Sequence, residues 1–217
     1  MQLSTKPFQF HLISKPTKQK SVMKKIFILF LFTVLSVSAF SQRNLTSFQY
    51  SMGFGTGNMH DYIAPASFRG FTVDYRSFVQ PYLGVGVDIG WNVFYDEMPD
   101  ATYEYKNITY AGKQWRYSNH FPMLFGADYY RVTDGKITPY AGFAIGTMYS
   151  LQNTDMSTYT FEKDAWHFAM RPELGLLIKT APGVGFNIVG KYYYGLKAGD
   201  LPAQGYFTLN VGFVFIQ

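Results

Sequence analysis

Ser118 and His120 have the side-chain types of a nucleophilic hydrolase. They are two residues apart, and Asp88 or Glu173 would supply the carboxylate that orients the histidine. Residues two apart in an extended strand point to the same face. That face is the polar one in this segment, so the pair would point away from an apolar substrate. We therefore predict no catalytic residues.

The sequence has few groups that could hold a metal ion or a cofactor. Its 217 residues include no cysteine, which excludes disulfide scaffolds, thiolate zinc sites, iron–sulfur clusters and thiol catalysis. His60 and Asp61 are adjacent, but no further ligand follows at the spacing of a zinc site. We predict no metal site and no cofactor.

Charged residues alternate with apolar ones in several segments and would share one face. These residues are Asp74, Asp88, Asp128, Glu173, Arg76, Arg116, Arg171 and Lys191. Buried charges are tolerated when they are paired, and equal numbers of acids and bases permit pairing. We predict a buried charge network that His120 joins through hydrogen bonds. A proton or ion path along these charges is the alternative interpretation.

The elements that would position these residues are strands. Apolar residues recur with a period of two, and helical periodicity is missing. The alternating segments span residues 47–55, 70–76, 83–93, 115–129, 140–149, 166–178, 185–194 and 207–215. Eight strands that each have one apolar face predict an all-β fold, a closed antiparallel up-and-down barrel without sheet edges.

Alternation does not decide whether the apolar face points into the barrel or out to lipid. The glycines fall mainly on the polar face, where side chains would converge in a narrow lumen. Tight turns at 79–81, 133–136 and 181–183 alternate with longer connections at 56–66, 95–114, 151–164 and 195–204. Short periplasmic turns and long extracellular loops are typical of outer-membrane barrels. The sequence therefore predicts a transmembrane barrel rather than a soluble, lipocalin-like one.

Aromatic residues are placed as two membrane girdles would require. Trp91 ends an ascending strand, and Trp115 and Trp166 begin descending ones, which predicts that all three lie in the outer interface. The predicted periplasmic girdle consists of Tyr75, Tyr129, Phe186, Phe213 and Phe215.

The formal net charge of +5 comes from the start of the chain. Residues 1–41 contain six lysines and no acid, so residues 42–217 carry a net charge of about −1. From Met23 the chain has Lys24 and Lys25, an apolar stretch, and then Ala39 and Ser41, as a secretory signal peptide does. We predict a non-native extension at 1–22, a signal peptide at 23–41 and a barrel domain at 42–217. No nucleic-acid partner is expected.

The final strand, YFTLNVGFVFIQ, resembles the C-terminal signal that barrel assembly machinery recognises. Together with the signal peptide and the eight-strand pattern, it makes the chain resemble small outer-membrane barrels of the OmpA/OmpX type from Gram-negative cells. The last strand departs from the usual pattern because it ends in Ile216-Gln217 rather than on an aromatic residue. The resemblance implies contact with outer-membrane lipid and lipopolysaccharide, handling by the assembly machinery and a monomeric state.

The segment 95–113 contains acids and tyrosines that suit contacts with an extracellular protein or glycan. Its candidate contact residues are Asp96, Glu97, Tyr103 and Tyr105. A strand pair that extends above the membrane is the alternative interpretation of this segment. We predict a structural or surface-interaction barrel with a filled polar lumen, no through-pore and no enzymatic activity. The alternatives are a ligand-binding or transport barrel and a lipid A-modifying enzyme.

Overall fold

The computed structural model describes residues 43–105, 108–131, 135–156 and 159–217, apart from the side chains of residues 104–110. Eight antiparallel strands of this part of the chain form a closed ring. They are β1 (Asn44–Thr56), β2 (Gly70–Gln80), β3 (Leu83–Tyr105), β4 (Ile108–Tyr130), β5 (Ile137–Met156), β6 (Tyr159–Ala181), β7 (Val184–Gly195) and β8 (Gln204–Ile216). The predicted up-and-down barrel is confirmed, whereas the predicted extension and signal peptide lie outside the described residues.

The ring closes through β1 and β8, which pair from Leu45 with Ile216 to Thr56 with Gly205. Tight turns join β2 to β3 and β6 to β7. In the second turn Gly183 has a φ of 78° after Pro182, which suits a type II turn and favours glycine. Among the described residues, no helix is long and apolar enough to cross a membrane.

The strands separate an apolar outer face from a polar inner one. On β8, Phe207, Leu209 and Val211 are exposed, whereas Thr208 and Asn210 between them are fully buried. Glycine is needed where the inner side chains crowd together. A Cβ on Gly142 would overlap the carboxylate of Asp128, and one on Gly175 would overlap the ring of Tyr140.

Two of the four predicted long connections are mostly strand. β3 continues to Tyr105 and β4 begins at Ile108, and β5 and β6 likewise continue to Met156 and from Tyr159. The alternative interpretation of 95–113 as a strand pair is therefore right, and the connection expected at 151–164 is likewise mostly strand. β3 pairs with β2 only as far as Asn92, and β6 pairs with β7 only from Ala169. The strand ends beyond these points pair with one another as a four-stranded sheet, which we call the wall (residues 93–105, 108–119, 151–156 and 159–164).

The connection between β1 and β2 contains a short helix, α1 (Asn58–Tyr62), that was not predicted. Five residues are too few to show a helical period in the sequence. Met59 of α1 and Ile63 directly after it are fully buried, so this connection folds into the barrel mouth.

Candidate functional site

Arg76 of β2 contacts three carboxylates in the lumen. Its Nε lies 2.6 Å from Asp128 Oδ2, and its Nη2 lies 2.7 Å from Asp88 Oδ1 and 3.9 Å from Glu173 Oε1. All four side chains are at most 3% exposed. The contacts link β2 to β3, β4 and β6, which places Arg76 at the centre of a cross-barrel network.

Arg171 and Lys191 extend this network to β7. Arg171 Nη2 lies 3.0 Å from Glu173 Oε2 and 3.1 Å from Asp88 Oδ2. Lys191 Nζ lies 2.7 Å from Asp74 Oδ2 and 3.8 Å from Glu173 Oε2. Each of these buried charges therefore has at least one opposite charge within 4 Å, which buried ions require.

Uncharged polar side chains surround one end of the network, and the sequence analysis did not select them. The amide nitrogen of Gln49 donates to Asp74 Oδ2 at 2.6 Å and to Ser47 Oγ at 2.7 Å. Asn210 donates to Gln49 Oε1 at 3.1 Å and to Ser51 Oγ at 2.8 Å. These residues alternate with the apolar ones on β1 and β8, so strand parity was the signal that could have identified them.

Two apolar layers enclose the network. The layer nearer the tight turns consists of Leu45, Tyr130, Tyr140, Leu177, Val189 and Val214. The layer nearer the wall consists of Met59, Ile63, Phe94, Leu124, Ala144, Met148, Ala169, Tyr193 and Tyr206. Stacked ring pairs occur in both layers, with centroids 4.9 Å apart for Tyr130 and Tyr140 and 4.8 Å apart for Tyr193 and Tyr206. The lumen is therefore layered, whereas the sequence analysis predicted a polar one without apolar layers.

His120 and Arg116 differ from their predicted roles in the charge network. His120 Nε2 lies 3.0 Å from Ser118 Oγ and its Nδ1 lies 2.9 Å from Ser150 Oγ, so both ring nitrogens bond to serines rather than to the charged residues. Arg116 lies in the barrel mouth, where it donates to the carbonyl oxygen of Tyr62 at 3.0 Å. The alternation of residues along the strand predicted correctly that both side chains lie on the inner face. It does not give the position of a residue along the barrel axis.

A continuous row of aromatic side chains lies on the outer surface below the wall. It runs from Phe71 to Trp91, Phe121, Tyr149 and Trp166, with successive ring centroids 5.1–6.3 Å apart. We call this row the outer girdle, because amphipathic rings concentrate at membrane interfaces.

Trp115 does not belong to the outer girdle, contrary to the prediction. It precedes Phe121 by six residues on β4, which is about 20 Å of extended strand. It pairs with Glu97 of β3 and Asp155 of β5 in the wall. The prediction failed because β4 begins at Ile108 rather than at Trp115.

The residues predicted for the periplasmic girdle all lie exposed on the outer face, near the tight turns. They are Tyr75, Tyr129, Phe186, Phe213 and Phe215. Exposed apolar side chains such as Ile89, Phe125 and Leu174 fill the surface between the two girdles. A closed barrel with an apolar band between aromatic girdles is the architecture of an outer-membrane protein. In such barrels the short turns lie on the periplasmic side, so we assign the wall, at the opposite end, to the outer side of the membrane.

The predicted contact residues of segment 95–113 lie on the paired strands of the wall. Glu97 Oε1 accepts a hydrogen bond from Lys113 Nζ at 2.8 Å across the strand pair. This hydrogen bond raises the pKa of Lys113. Asp96 pairs with Arg116 in the backbone register, and Tyr103 donates to the carbonyl oxygen of Pro99 at 2.5 Å. The side chain of Tyr105 lies outside the described residues.

A groove of about 420 Å³ follows the edge of β3 at the foot of the wall. Its two sides are residues 65–69 and residues 93–97. The N–H of Val93 donates to the carbonyl oxygen of Arg69 at 2.9 Å, and the hydroxyl of Ser67 donates to the carbonyl oxygen of Val93. Beyond Val93 the described residues contain no strand partner on this side of β3.

A cavity of about 360 Å³ lies in the barrel mouth, between the inner face of the wall and the connections that contain α1 and Pro202. Its lining residues are Asn58, Asp61, Tyr62, Gln114, Arg116, Gln152, Thr154, Phe161, Lys163 and Pro202. The described residues contain no group of three or more His, Asp or Glu side chains that could hold a metal ion. The polar side chains of this cavity make it a candidate binding site.

No protein-family model and no curated protein matches the chain. Several solved structures are similar to it. Neisserial surface protein A is 12% identical over 80% of this chain and 96% of its own, with a TM-score of 0.48. The attachment invasion locus protein Ail of Yersinia pestis is 14% identical over 81% and 100%, with a TM-score of 0.49. The outer membrane protein OprG of Pseudomonas aeruginosa is 13% identical over 81% and 93%, with a TM-score of 0.44.

Proposed function

We propose that the protein is a surface-interaction barrel without a through-pore that binds extended protein segments at the free edge of β3. The observation that carries this proposal is the groove beside residues 93–97, where β3 has no strand partner among the described residues. An unpaired edge presents main-chain donors and acceptors to another strand. Strand addition at such an edge is a common mode of peptide recognition.

The main-chain groups of Tyr95 and Glu97 face this groove. The N–H and the carbonyl oxygen of Val93 both bond toward the loop at residues 65–69. In an antiparallel strand, alternate residues direct both groups to the same neighbour. Tyr95 and Glu97 therefore direct theirs to the open side, while Phe94 and Asp96 bond within the β3–β4 pair.

Support for a closed lumen comes from the charge network and the two apolar layers around it. An eight-stranded barrel is only wide enough for side chains to fill its interior. Arg76, Arg171 and Lys191 are each at most 1% exposed, so water does not reach these charges from either mouth. This burial favours a structural core over a path for ions or solutes.

A non-catalytic role is supported by the surroundings of His120. The imidazole lies between two serine hydroxyls and beside the rings of Phe94 and Tyr206, with centroids 5.7 Å and 5.0 Å away. Ser118, His120 and Ser150 are fully buried. A lipid substrate outside the barrel would not reach this group, so we assign it to packing of the core.

We also propose that the barrel is a monomer whose outer face contacts lipid and lipopolysaccharide, and that barrel assembly machinery inserts it. The support is the apolar band between the girdles, together with the likeness of the final strand to an assembly signal.

The edge proposal is tested with linear peptides from a phage-displayed library, selected on the barrel in lipid nanodiscs. We expect bound peptides to protect the amide hydrogens of Tyr95 and Glu97 from exchange with deuterium. Glu97→Pro removes one edge donor and leaves the ladder to β4 intact, because proline is tolerated on the open side of an edge strand. It should abolish peptide binding.

Glu97→Ala is the matched control, since it removes the same side chain and its contact with Lys113 but keeps the N–H. Peptide binding that survives in Glu97→Ala and is lost in Glu97→Pro supports the proposal. Equal binding by both variants, or protection confined to other amides, would contradict it.

A further inference from the structure

The cavity in the barrel mouth, which we call the mouth cavity, is a second candidate binding site. It does not depend on the β3 edge or on a partner bound there. We propose that it binds an acidic monosaccharide unit, with the carboxylate on Arg116, the hydroxyl groups on the neighbouring amide and hydroxyl side chains, and the ring against Phe161. The unit would belong to a soluble or surface glycan that reaches the barrel from outside the cell. The groove at the β3 edge shares none of these side chains.

The cavity wall is an ordered grid of side chains, because the register of the strands sets their spacing. Two consecutive rows across β4, β5 and β6 point to the cavity side. The outer row is Arg116, Thr154 and Phe161, and the inner row is Ser118, Gln152 and Lys163. Neighbouring strands are about 4.8 Å apart, so one row spans about 10 Å, the width of a sugar ring with its substituents. The grid therefore presents a cation, a hydroxyl and an aromatic ring in line.

Arg116 is the group that selects for an anion. No carboxylate of the described residues lies within 4.0 Å of its guanidinium, in contrast to the arginines of the charge network. Its Nη1 donates to the carbonyl oxygen of Tyr62 at 3.0 Å and its Nη2 to Gln114 Oε1 at 3.2 Å. The Tyr62 ring, 5.3 Å away, also holds the guanidinium in place. A guanidinium has five N–H donors, so this positioned cation can still donate to a ligand carboxylate.

The other polar groups of the lining are one further cation, Lys163, one carboxylate, Asp61, and amide and hydroxyl side chains that suit the hydroxyl groups of a ligand. Gln152 and Thr154 are each 8% exposed. Gln152 Nε2 donates to Gln204 Oε1 at 3.1 Å, and Thr154 Oγ1 lies 2.8 Å from the hydroxyl oxygen of Tyr62. The oxygens of both side chains have further lone pairs that can accept hydrogen bonds from the hydroxyl groups of a ligand. Asp61 lines the outer side of the cavity. Its carboxylate would repel a second negative charge but would accept a hydrogen bond from a hydroxyl group. The lining contains two cations, Arg116 and Lys163, and one carboxylate, that of Asp61, so its net charge of about +1 suits a ligand with one carboxylate and several hydroxyl groups better than a dicarboxylate.

The size and the apolar surface of the cavity point to a single sugar unit. Ligand pockets commonly have volumes of about 300–1,000 Å³, and this cavity, at about 360 Å³, is near the lower limit. Phe161 and Pro202 provide apolar surface for the C–H face of a pyranose ring. The cavity opens to the outside, so the rest of a glycan chain would extend away from the membrane.

Calorimetric titration of the detergent-solubilised barrel with D-glucuronate and with D-glucose tests this inference. The two sugars differ only in the carboxylate. We expect glucuronate to bind about tenfold or more tightly than glucose, because hydrogen bonds to charged groups are worth more than neutral ones. Arg116→Gln should reduce the affinity for glucuronate to that for glucose.

Lys113→Gln is the matched control, since Lys113 is a cation on the same strand that contacts Glu97 and does not line the cavity. It should leave both affinities unchanged. Equal affinity of the native barrel for the two sugars, or no binding of either, would overturn the inference. If a folded Arg116→Gln barrel bound neither sugar, the inference would also be overturned, because Arg116 would then only shape the cavity.

Thr154→Val provides a second test if Arg116→Gln does not fold, as judged by heat-modifiable migration on a detergent gel. This variant keeps the shape of the side chain and removes its hydroxyl group. We expect it to weaken glucuronate and glucose binding by similar factors. Unchanged binding of both sugars by Thr154→Val would place the ligand elsewhere.

Discussion

Asp128 depends on one cation for its pairing. Arg76 lies 2.6 Å from it, and the described residues place no other cation within 4.0 Å of its carboxylate. Asp88, in contrast, contacts both Arg76 and Arg171. A buried carboxylate that loses its partner retains the cost of leaving water without the compensating attraction. The stability of the lumen therefore depends unequally on its charges, and most strongly on Arg76.

We predict that Arg76→Met lowers the free energy of unfolding by about 3–5 kcal/mol, the usual cost of breaking a buried ion pair. Urea unfolding of the barrel in lipid vesicles, followed by tryptophan fluorescence, measures this change. Lys113→Met breaks the exposed pair with Glu97 and should have little effect, since solvent screens that pair. Equal losses in the two variants would show that the lumenal network contributes no more than a surface pair.

Strand β4 is the element that connects the membrane band with the wall. It carries Phe121 in the outer girdle and Trp115 six residues farther out. Trp91 and Trp166 belong to the girdle, so only two of the three tryptophans are at the depth of the lipid.

Variants that keep a single tryptophan test this placement in vesicles that contain brominated lipids. We predict strong quenching of the fluorescence of Trp91 and Trp166, and weak quenching of that of Trp115, because bromine quenches only at short range. Replacing the other tryptophans by phenylalanine keeps the packing of each site. Quenching of Trp115 to the same extent as Trp91 would contradict this placement, because it would show that lipid also surrounds the part of the wall that contains Trp115.

The strands could be predicted from the sequence because alternation is a local signal that one strand shows by itself. This alternation correctly predicted that Asp88 and Arg116 both lie on the inner face. It does not give the height of a residue in the barrel, which depends on where strands begin and on the register between them. Arg116 precedes Asp128 by twelve residues on β4, about 40 Å of strand, and so lies in the mouth rather than in the network.

The apolar layer above the network could not be predicted, because its parts are distant in sequence. Met59 and Ile63 come from a connection with no strand pattern, and they pack in one cluster with Phe94 and Tyr206 of two strands. Only the closed ring brings these residues together. The mouth cavity has the same origin, since its wall is sheet and its other side is formed by connections.

At the scale of the whole molecule, the barrel divides into a membrane part and an extracellular part with different chemistry. The membrane part holds paired charges between two apolar layers, inside a surface that faces lipid. The extracellular part has a free strand edge on one side of the wall and a polar cavity on the other. This division supports the proposed role in surface interaction.

Planar lipid bilayer recording on the purified barrel tests the closed lumen most directly. Insertion is verified independently by co-flotation of the barrel with lipid vesicles, and folding by heat-modifiable migration of the same sample on a detergent gel. The account predicts no stable conductance steps from the native barrel, because the charge network and both apolar layers fill the lumen. Reproducible ohmic openings from inserted native protein would contradict it.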